Sequence, residues 1–393
     1  MNINRINQLI EVYRDGLLND TLPFWLKESW DRELGGIMTC VDREGSVIDT
    51  DKNGWFQGRA AWTYATAYLN FDQNPEYLEM AKSLVGFIKE HGEDPEDGRL
   101  WYHYTREGQP IRKRRYSFTE SFASIAMAAV AKATDDKELA QEAIEMFNKY
   151  TAYNEAGAKP EKFTGTRPLR GMGVPMIDIV TAQELRKLID LPGATEHIDA
   201  CIDEIKTYFI KDDIECVMET VNLDGSISDH MTGRELNPGH AIEGAWFIMN
   251  EGKIRGRQDY IDLGLKMLDW MWARGWDKEH GGILYYRDVY NKPCSEYWQD
   301  MKFWWPHNET IIATLLAYQL TGDEKYAEWH EMIHDWTYAH FPDKESGEWY
   351  GYLDRTGRVT TEIKGNMFKG PFHMPRMQMI CTQILEEIKE QKG

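Results

Sequence analysis

The strongest constraint on the fold is a repeat. The string Gly35-Gly36-Ile37-Met38-Thr39-Cys40-Val41-Asp42-Arg43-Glu44-Gly45 has later counterparts. They begin at Asp97-Gly98, Gly281-Gly282 and Gly347, and run on as RLWYHYTREG, ILYYRD and EWYGYLDRTG. Each alternates large and polar residues after a glycine turn, and most end in a charged-glycine turn, which predicts a short β-hairpin. A weaker copy lies around Gly225 and a poor one around Thr164-Gly165. Taking Gly36, Gly98, Gly165, Gly225, Gly282 and Gly347 as markers, the spacing stays between 57 and 67 residues. Self-similarity at a fixed period, here six units, fixes the architecture before any single element does.

Between the hairpins the pattern is helical. Arg59–Leu69, Phe122–Lys132 and Ile311–Leu320 are apolar or small nearly all round, as in buried helices. Ser117 and Glu120 have the spacing of a capping box before the second of these. Glu76–Glu90 and Asp259–Ala273 carry charge on one side only. Each unit thus predicts one buried and one exposed helix. The fold expected is all-α: an (α/α)6 barrel of about twelve helices with short β-hairpins between helix pairs. An open solenoid would need polar end repeats, and none is evident. No linker divides the chain, so residues 1–393 read as a single domain.

Composition narrows the partners. Sixty-five Asp and Glu against 45 Lys and Arg give a formal charge of −20. That field repels phosphate backbones and anionic lipid, so neither nucleic acid nor membrane is expected as a partner. Five dispersed cysteines without paired spacing fit reduced thiols. Glu11 and Asp15 interrupt the stretch where a signal peptide needs apolar residues. A cytoplasmic location is therefore expected.

Unusual polar residues gather at the starts of the buried helices. They include Arg59; Tyr116, Thr119 and Glu120; His240 and Glu243; His307 and Glu309; and His373 and Arg376. Pro238, Pro306 and Pro375 suit first-turn positions. Parallel inner helices in a ring would bring these starts to one mouth. The glutamates fit helix starts for structural reasons alone. Two histidines and two arginines do not, because a cation opposes the helix dipole and calls for an anionic partner. A first-turn imidazole is kept neutral by the dipole and can act as a base near pH 7. Two such rings on opposite sides of one carbon can remove a proton and return another, inverting a centre beside a carbonyl. Arg59 or Arg376 would face the enediolate so formed. Glu243, one turn from His240, would hold that ring. Trp55, Tyr116, Trp304 and Trp305 offer flat faces for sugar C–H groups.

A competing pattern is His330-Glu331-Met332-Ile333-His334, with His340 beyond it. It has the zinc-protease spacing. Thr337 replaces the glycine that would turn the chain, and on a continuous helix His340 falls roughly 120° from His334. No metal site is expected there.

Several strings then resemble the N-acylglucosamine 2-epimerases, also known as renin-binding proteins. They are Arg234–Trp246 (RELNPGHAIEGAW), Lys302–Glu309 (KFWWPHNE), Gly347–Leu353 (GEWYGYL), Lys369–Arg376 (KGPFHMPR), Gly54–Arg59 (GWFQGR), and Gly165–Leu169 followed by Val174–Ile177. The resemblance spans nearly the whole chain and implies the same (α/α)6 barrel. It implies interconversion of N-acetylglucosamine and N-acetylmannosamine by ring opening and proton exchange at C2. His373 would be the C2 base in one direction and His240 its opposite-face partner. Arg59 would face the enediolate, and Glu243, Glu309 and Arg376 would orient the histidines or the sugar. Tyr116, Met176, Trp305, His307 and Phe372 are the expected substrate-binding residues. No metal or redox cofactor is required. Many relatives are stimulated by ATP, and Lys159–Lys162 through Arg170 resembles their nucleotide-linked loop with fewer glycines, leaving ATP as a candidate allosteric activator. Relatives are commonly homodimers. The same barrel also carries mannose and cellobiose 2-epimerases and aldose–ketose isomerases. Two further alternatives are a glycoside hydrolase using Glu243 and Glu309 and a non-catalytic binding protein.

Overall fold

The computed structural model describes residues 1–155 and 164–392. Among these residues twelve long helices lie in six pairs. The inner ones are α2 (Gly54–Asn70), α4 (Phe118–Thr134), α6 (Gly173–Ile189), α8 (Pro238–Arg255), α10 (Trp304–Thr321) and α12 (His373–Lys392). The outer ones are α1 (Ile3–Asp15), α3 (Pro75–His91), α5 (Lys137–Asn154), α7 (Ala194–Glu204), α9 (Gln258–Gly275) and α11 (Glu324–His340). Each inner helix touches the next, and α12 returns to α2. The expected closed (α/α)6 ring is present. Among the described residues no helix is long and apolar enough to cross a membrane.

The local chemistry explains the placement. In α2 every residue from Gly54 to Ala67 except Arg59 is buried, because the helix has no polar face to give to solvent. Its amide donors are capped by the Asn53 side chain, which accepts from Trp55 and Phe56. At Gly58 a Cβ would lie 2.5 Å from the Phe122 carbonyl carbon, so glycine permits the close crossing of α2 and α4. The outer α3 is two-faced and buries Tyr77, Met80, Leu84 and Ile88 against the ring.

Four expectations change. The outer partner of α12 is α1, from the opposite end of the chain. The strands also join neighbouring units: Lys52–Asn53 pairs with His103–Tyr104, Leu169–Gly171 with Thr220–Asn222, Glu235–Leu236 with Arg287–Asp288, and Lys302–Phe303 with Tyr352–Leu353. Gly165 opens no hairpin among the described residues; residues 164–168 form only turn and bend. Finally, Ser117 makes no side-chain cap bond. Its hydroxyl bonds Asn154, while Glu120 accepts from the Leu100 amide at 3.0 Å and Arg99 Nε at 3.3 Å. The capping box fails because both side chains have stronger partners in the adjacent loop and helix.

A buried charge motif repeats beneath the hairpins. Asp31 holds Lys52 and Arg106, Asp277 holds Lys302 and Arg355, and Asp343 holds Lys364 and Arg43. In the last set Arg43 comes from the first unit and Asp343 precedes the sixth hairpin, so this ion pair spans the seam of the ring. The Val41–Gly365 bridge does the same in backbone.

Candidate active site

The inner helices begin at one end of the ring, around a cavity of about 1360 Å³. It follows the barrel axis, from Trp55 to Thr66 on α2 and from His373 to Glu387 on α12. His240, His373, Arg59, Glu243 and Arg376 all line it, as do Tyr116, Met176, Trp305 and Phe372.

His373 is the first residue of α12. Its Nδ1 lies 2.7 Å from Glu309 Oε1. The carboxylate can only accept, so Nδ1 carries the proton and the Nε2 lone pair is left free. His240 is in the first turn of α8, where Asn237 caps its amide at 3.1 Å. Its Nδ1 donates to Glu219 Oε1 at 3.0 Å, which frees Nε2 likewise. Trp305 stands against both rings, 4.8 Å from the His240 centroid and 5.8 Å from that of His373.

The two histidines differ in charge preference. For His240 burial pulls the pKa down, but the charge and hydrogen bond of Glu219 outweigh it and the net direction is up. For His373 burial and the Arg376 charge push it well below the ordinary imidazole range. Glu309 does not reverse this, because Arg376 Nη2 also takes Glu309 Oε1 at 2.7 Å. Arg376 bonds Glu243 with the same nitrogen. Two carboxylates and the two guanidiniums of Arg376 and Arg59 thus balance, and an imidazolium at 373 would add an uncompensated buried charge.

Arg59 differs from Arg376. It makes no salt bridge among the described residues. Its Nε has no hydrogen-bond partner. It is held over the rings of Phe122 at 4.2 Å and Phe372 at 4.9 Å, and burial pushes its pKa down to about 9. This is a cation fixed at the cavity wall with room for an anion.

Other expected positions are corrected. Glu243 does not hold His240; it is committed to Arg376, and Glu219 does that work. His307 does not line the cavity. It is fully buried, its Nδ1 donates to the Phe303 carbonyl at 2.6 Å and its Nε2 accepts from the Ile283 amide at 3.0 Å. It pins the fifth hairpin to α10, and burial pushes its pKa down to about 3. Glu309 also lies behind the wall rather than on it, touching the cavity-lining side chains of His373, Arg376 and Trp246. His330 and His334 share the Tyr13 hydroxyl at 3.1 and 2.8 Å, and Glu331 pairs with Arg5. Their pKa values are pushed down by burial to about 4 and about 3. His340 Nδ1 turns to the Trp336 carbonyl, so the three rings do not converge.

Donor atoms of Glu243, Glu309 and His373 do lie within 4.8 Å of one another. Arg376 already supplies the positive charge between those carboxylates, and an ion would have to displace it. The first part of the nucleotide-linked stretch, residues 159–163, lies outside the described residues. Arg170 at its end bonds Glu204 at 2.6 Å.

Besides Glu219, reading the helix starts missed Tyr285, Tyr352 and Asn366, which line the mouth from the loops and hairpins. The alternation along the hairpins is the signal that could have found Tyr285 and Tyr352; Asn366 stands in a loop outside any such pattern.

A ring of helices, an aromatic-lined axial cavity and two carboxylate-held imidazoles on its wall with an unpaired guanidinium define a class: a carbohydrate epimerase, an isomerase. Residues 35–369 match the family model described as N-acylglucosamine 2-epimerase (GlcNAc 2-epimerase). The N-acylglucosamine 2-epimerase of Bos taurus is 34% identical over 383 residues, covering 94% of this chain and 90% of that protein. The cellobiose 2-epimerase structure from Spirochaeta thermophila superimposes with a TM-score of 0.84 at 20% identity, covering 98% of each chain. A D-mannose isomerase structure does so with a TM-score of 0.80 at 17% identity, again over 98% of each. The chain belongs to the N-acylglucosamine 2-epimerase family.

Proposed function

We propose that this enzyme interconverts N-acetylglucosamine and N-acetylmannosamine. The carrying observation is the pair of carboxylate-held imidazoles, one favouring its neutral and one its charged form, on a single cavity. The open-chain sugar presents its C2 proton to His373 Nε2. As that proton leaves, the electron pair forms the C1–C2 double bond and the charge passes to O1, facing Arg59. His240, charged, returns a proton to the other face of C2. In the reverse direction the two exchange roles. Trp305, in contact with both rings, supports the sugar's flat face. Glu309 and Arg376 orient His373, and Glu219 orients His240.

The scheme needs no metal or redox cofactor. ATP enters as a candidate allosteric activator, and a cytoplasmic homodimer is the expected form. The cavity volume favours a second reading, a disaccharide 2-epimerase, because one sugar fills only part of it. A hydrolase using Glu243 and Glu309 is disfavoured, since Arg376 engages both side chains and Glu309 does not line the cavity where a leaving group would sit.

The test is NMR of turnover in heavy water. N-acetylglucosamine should yield N-acetylmannosamine with one deuteron at C2. Turnover without label at C2 refutes the two-histidine scheme; label with cellobiose and none with the acylated sugar selects the second reading.

A further inference from the structure

Outside the cavity a second set of donor atoms converges between α6 and α7. Asp178 stands on α6. His197 and Cys201, four residues apart on α7, share one face of that helix. His197 Nε2 is 3.1 Å from Asp178 Oδ2 and 3.8 Å from Cys201 Sγ. The three donor atoms all lie within 4.8 Å of one another. None of these residues lines the cavity.

Charge and geometry both suit this cluster to a cation. Asp178 is buried, yet among the described residues it has no lysine or arginine partner; it meets only His197 and the Tyr150 hydroxyl. A buried carboxylate needs positive charge nearby. Tyr150 takes Oδ1, which leaves Oδ2 aimed at the convergence point and provides the outer hydrogen bond that ligating carboxylates use. Phe147 packs edge-on to the imidazole at 5.4 Å and holds its orientation. With zinc–N and zinc–O near 2.05 Å and zinc–S near 2.3 Å, tetrahedral ligands sit roughly 3.3 Å (N to O) and roughly 3.6 Å (N to S) apart. The observed separations differ from these by a few tenths of an ångström. The His197 side chain is 30% exposed, so an ion has a path in from solvent.

We propose that Asp178, His197 and Cys201 bind a divalent transition metal of the zinc class, with a fourth position open to water. As the sulfur–metal bond forms, the Cys201 thiol gives its proton to solvent, and two anionic ligands then balance the ion. One thiolate, one imidazole and one carboxylate select zinc or cobalt over magnesium or calcium. The ion ties α7 to α6, whose opposite face presents Met176 to the sugar cavity.

The full-length protein, stripped with a chelator, is titrated with cobalt(II). One equivalent should bind per chain with thiolate-to-cobalt charge-transfer absorption, and zinc should bleach it. Cys201→Ser should abolish the band, and His197→Gln should weaken binding at least tenfold. His373→Asn should leave the band intact, because the Glu243, Glu309 and His373 group has no thiol. Should Cys201→Ser fail to fold, His197→Gln, at a part-exposed site, carries the test. Absence of the band at saturating cobalt means that His197 serves Asp178 only as a hydrogen-bond partner, and overturns the proposal. Full binding in His197→Gln, or a band that persists in Cys201→Ser, overturns it equally.

Discussion

Glu309→Gln separates proton-transfer chemistry from binding. Glu309 is fully buried and accepts three donors: His373 Nδ1 and Arg376 Nη2 on Oε1, each at 2.7 Å, and Trp246 Nε1 on Oε2 at 2.9 Å. A glutamine has one accepting oxygen. If that oxygen keeps His373, the amide N–H faces the Trp246 N–H and leaves an unpaired buried donor, costing about 1–3 kcal/mol of stability. If the amide turns over, its N–H faces His373 Nδ1 and drives the ring to the tautomer whose Nε2 carries hydrogen. The base is then lost. In either orientation one of two negative charges disappears while Arg59 and Arg376 remain, so an imidazolium at 373 becomes harder to form. General acid–base catalysis contributes about 10²- to 10⁴-fold, or about 2.7–5.5 kcal/mol of barrier, and kcat should fall by an amount in that range. Because Glu309 does not reach the cavity, KM should change little. The assay is steady-state epimerisation in both directions, with deuterium exchange at C2 as the direct readout and thermal unfolding as the control for folding. A folded variant with kcat within tenfold of the parent would refute the claim that Glu309 sets the state of His373.

Glu219→Gln removes what raises the His240 pKa. In the direction where His240 donates, activity is lost as pH rises through that pKa, so the alkaline limb of kcat/KM should move to lower pH, measured by a pH–rate profile. Arg59→Gln should lower kcat about 10²- to 10³-fold, as loss of a charge aimed at an oxyanion does. It should not lower the unfolding temperature, since Arg59 has no ion pair to lose. Tyr13→Phe strips the hydroxyl shared by His330 and His334; stability should drop by about 1–3 kcal/mol in a denaturant titration while kcat is unchanged. Arg43→Met breaks the Arg43–Asp343 pair at the seam and should lower the unfolding midpoint more than Arg32→Met, whose exposed pair with Glu76 lies within one unit.

The repeat was legible because glycine turns and strand alternation are local properties, and so was the burial of helices without a polar face. What closes the ring was not. No local pattern says that α1, at the start of the chain, pairs with α12 at its end, or that Arg43 crosses to Asp343 three hundred residues on. Glu219 was hidden for a related reason. It lies 21 residues before His240, in the bend between the short strands Cys216–Val217 and Thr220–Asn222 and not at a helix start. Glu243 has the textual advantage of sitting one turn away, but its real partner is Arg376, 133 residues distant.

His307 shows where pattern reading had more to give. It stands in the string KFWWPHNE beside Trp305 and Glu309, and shares their composition but not their face. At 100° per residue, Glu309 falls roughly 40° from Trp305 and His307 roughly 200° from it. His240 to Glu243, and His373 to Arg376, are each roughly 60° apart, so each pair shares a face. In an amphipathic helix that angle would decide the matter, because the far face meets solvent. The inner helices of this barrel are buried all round, and their far face meets an outer helix, where His307 stacks on Trp336 at 4.9 Å. A histidine in such a helix is therefore satisfied either at the axis or in the wall. Only its angle from a residue already known to face the axis distinguishes the two.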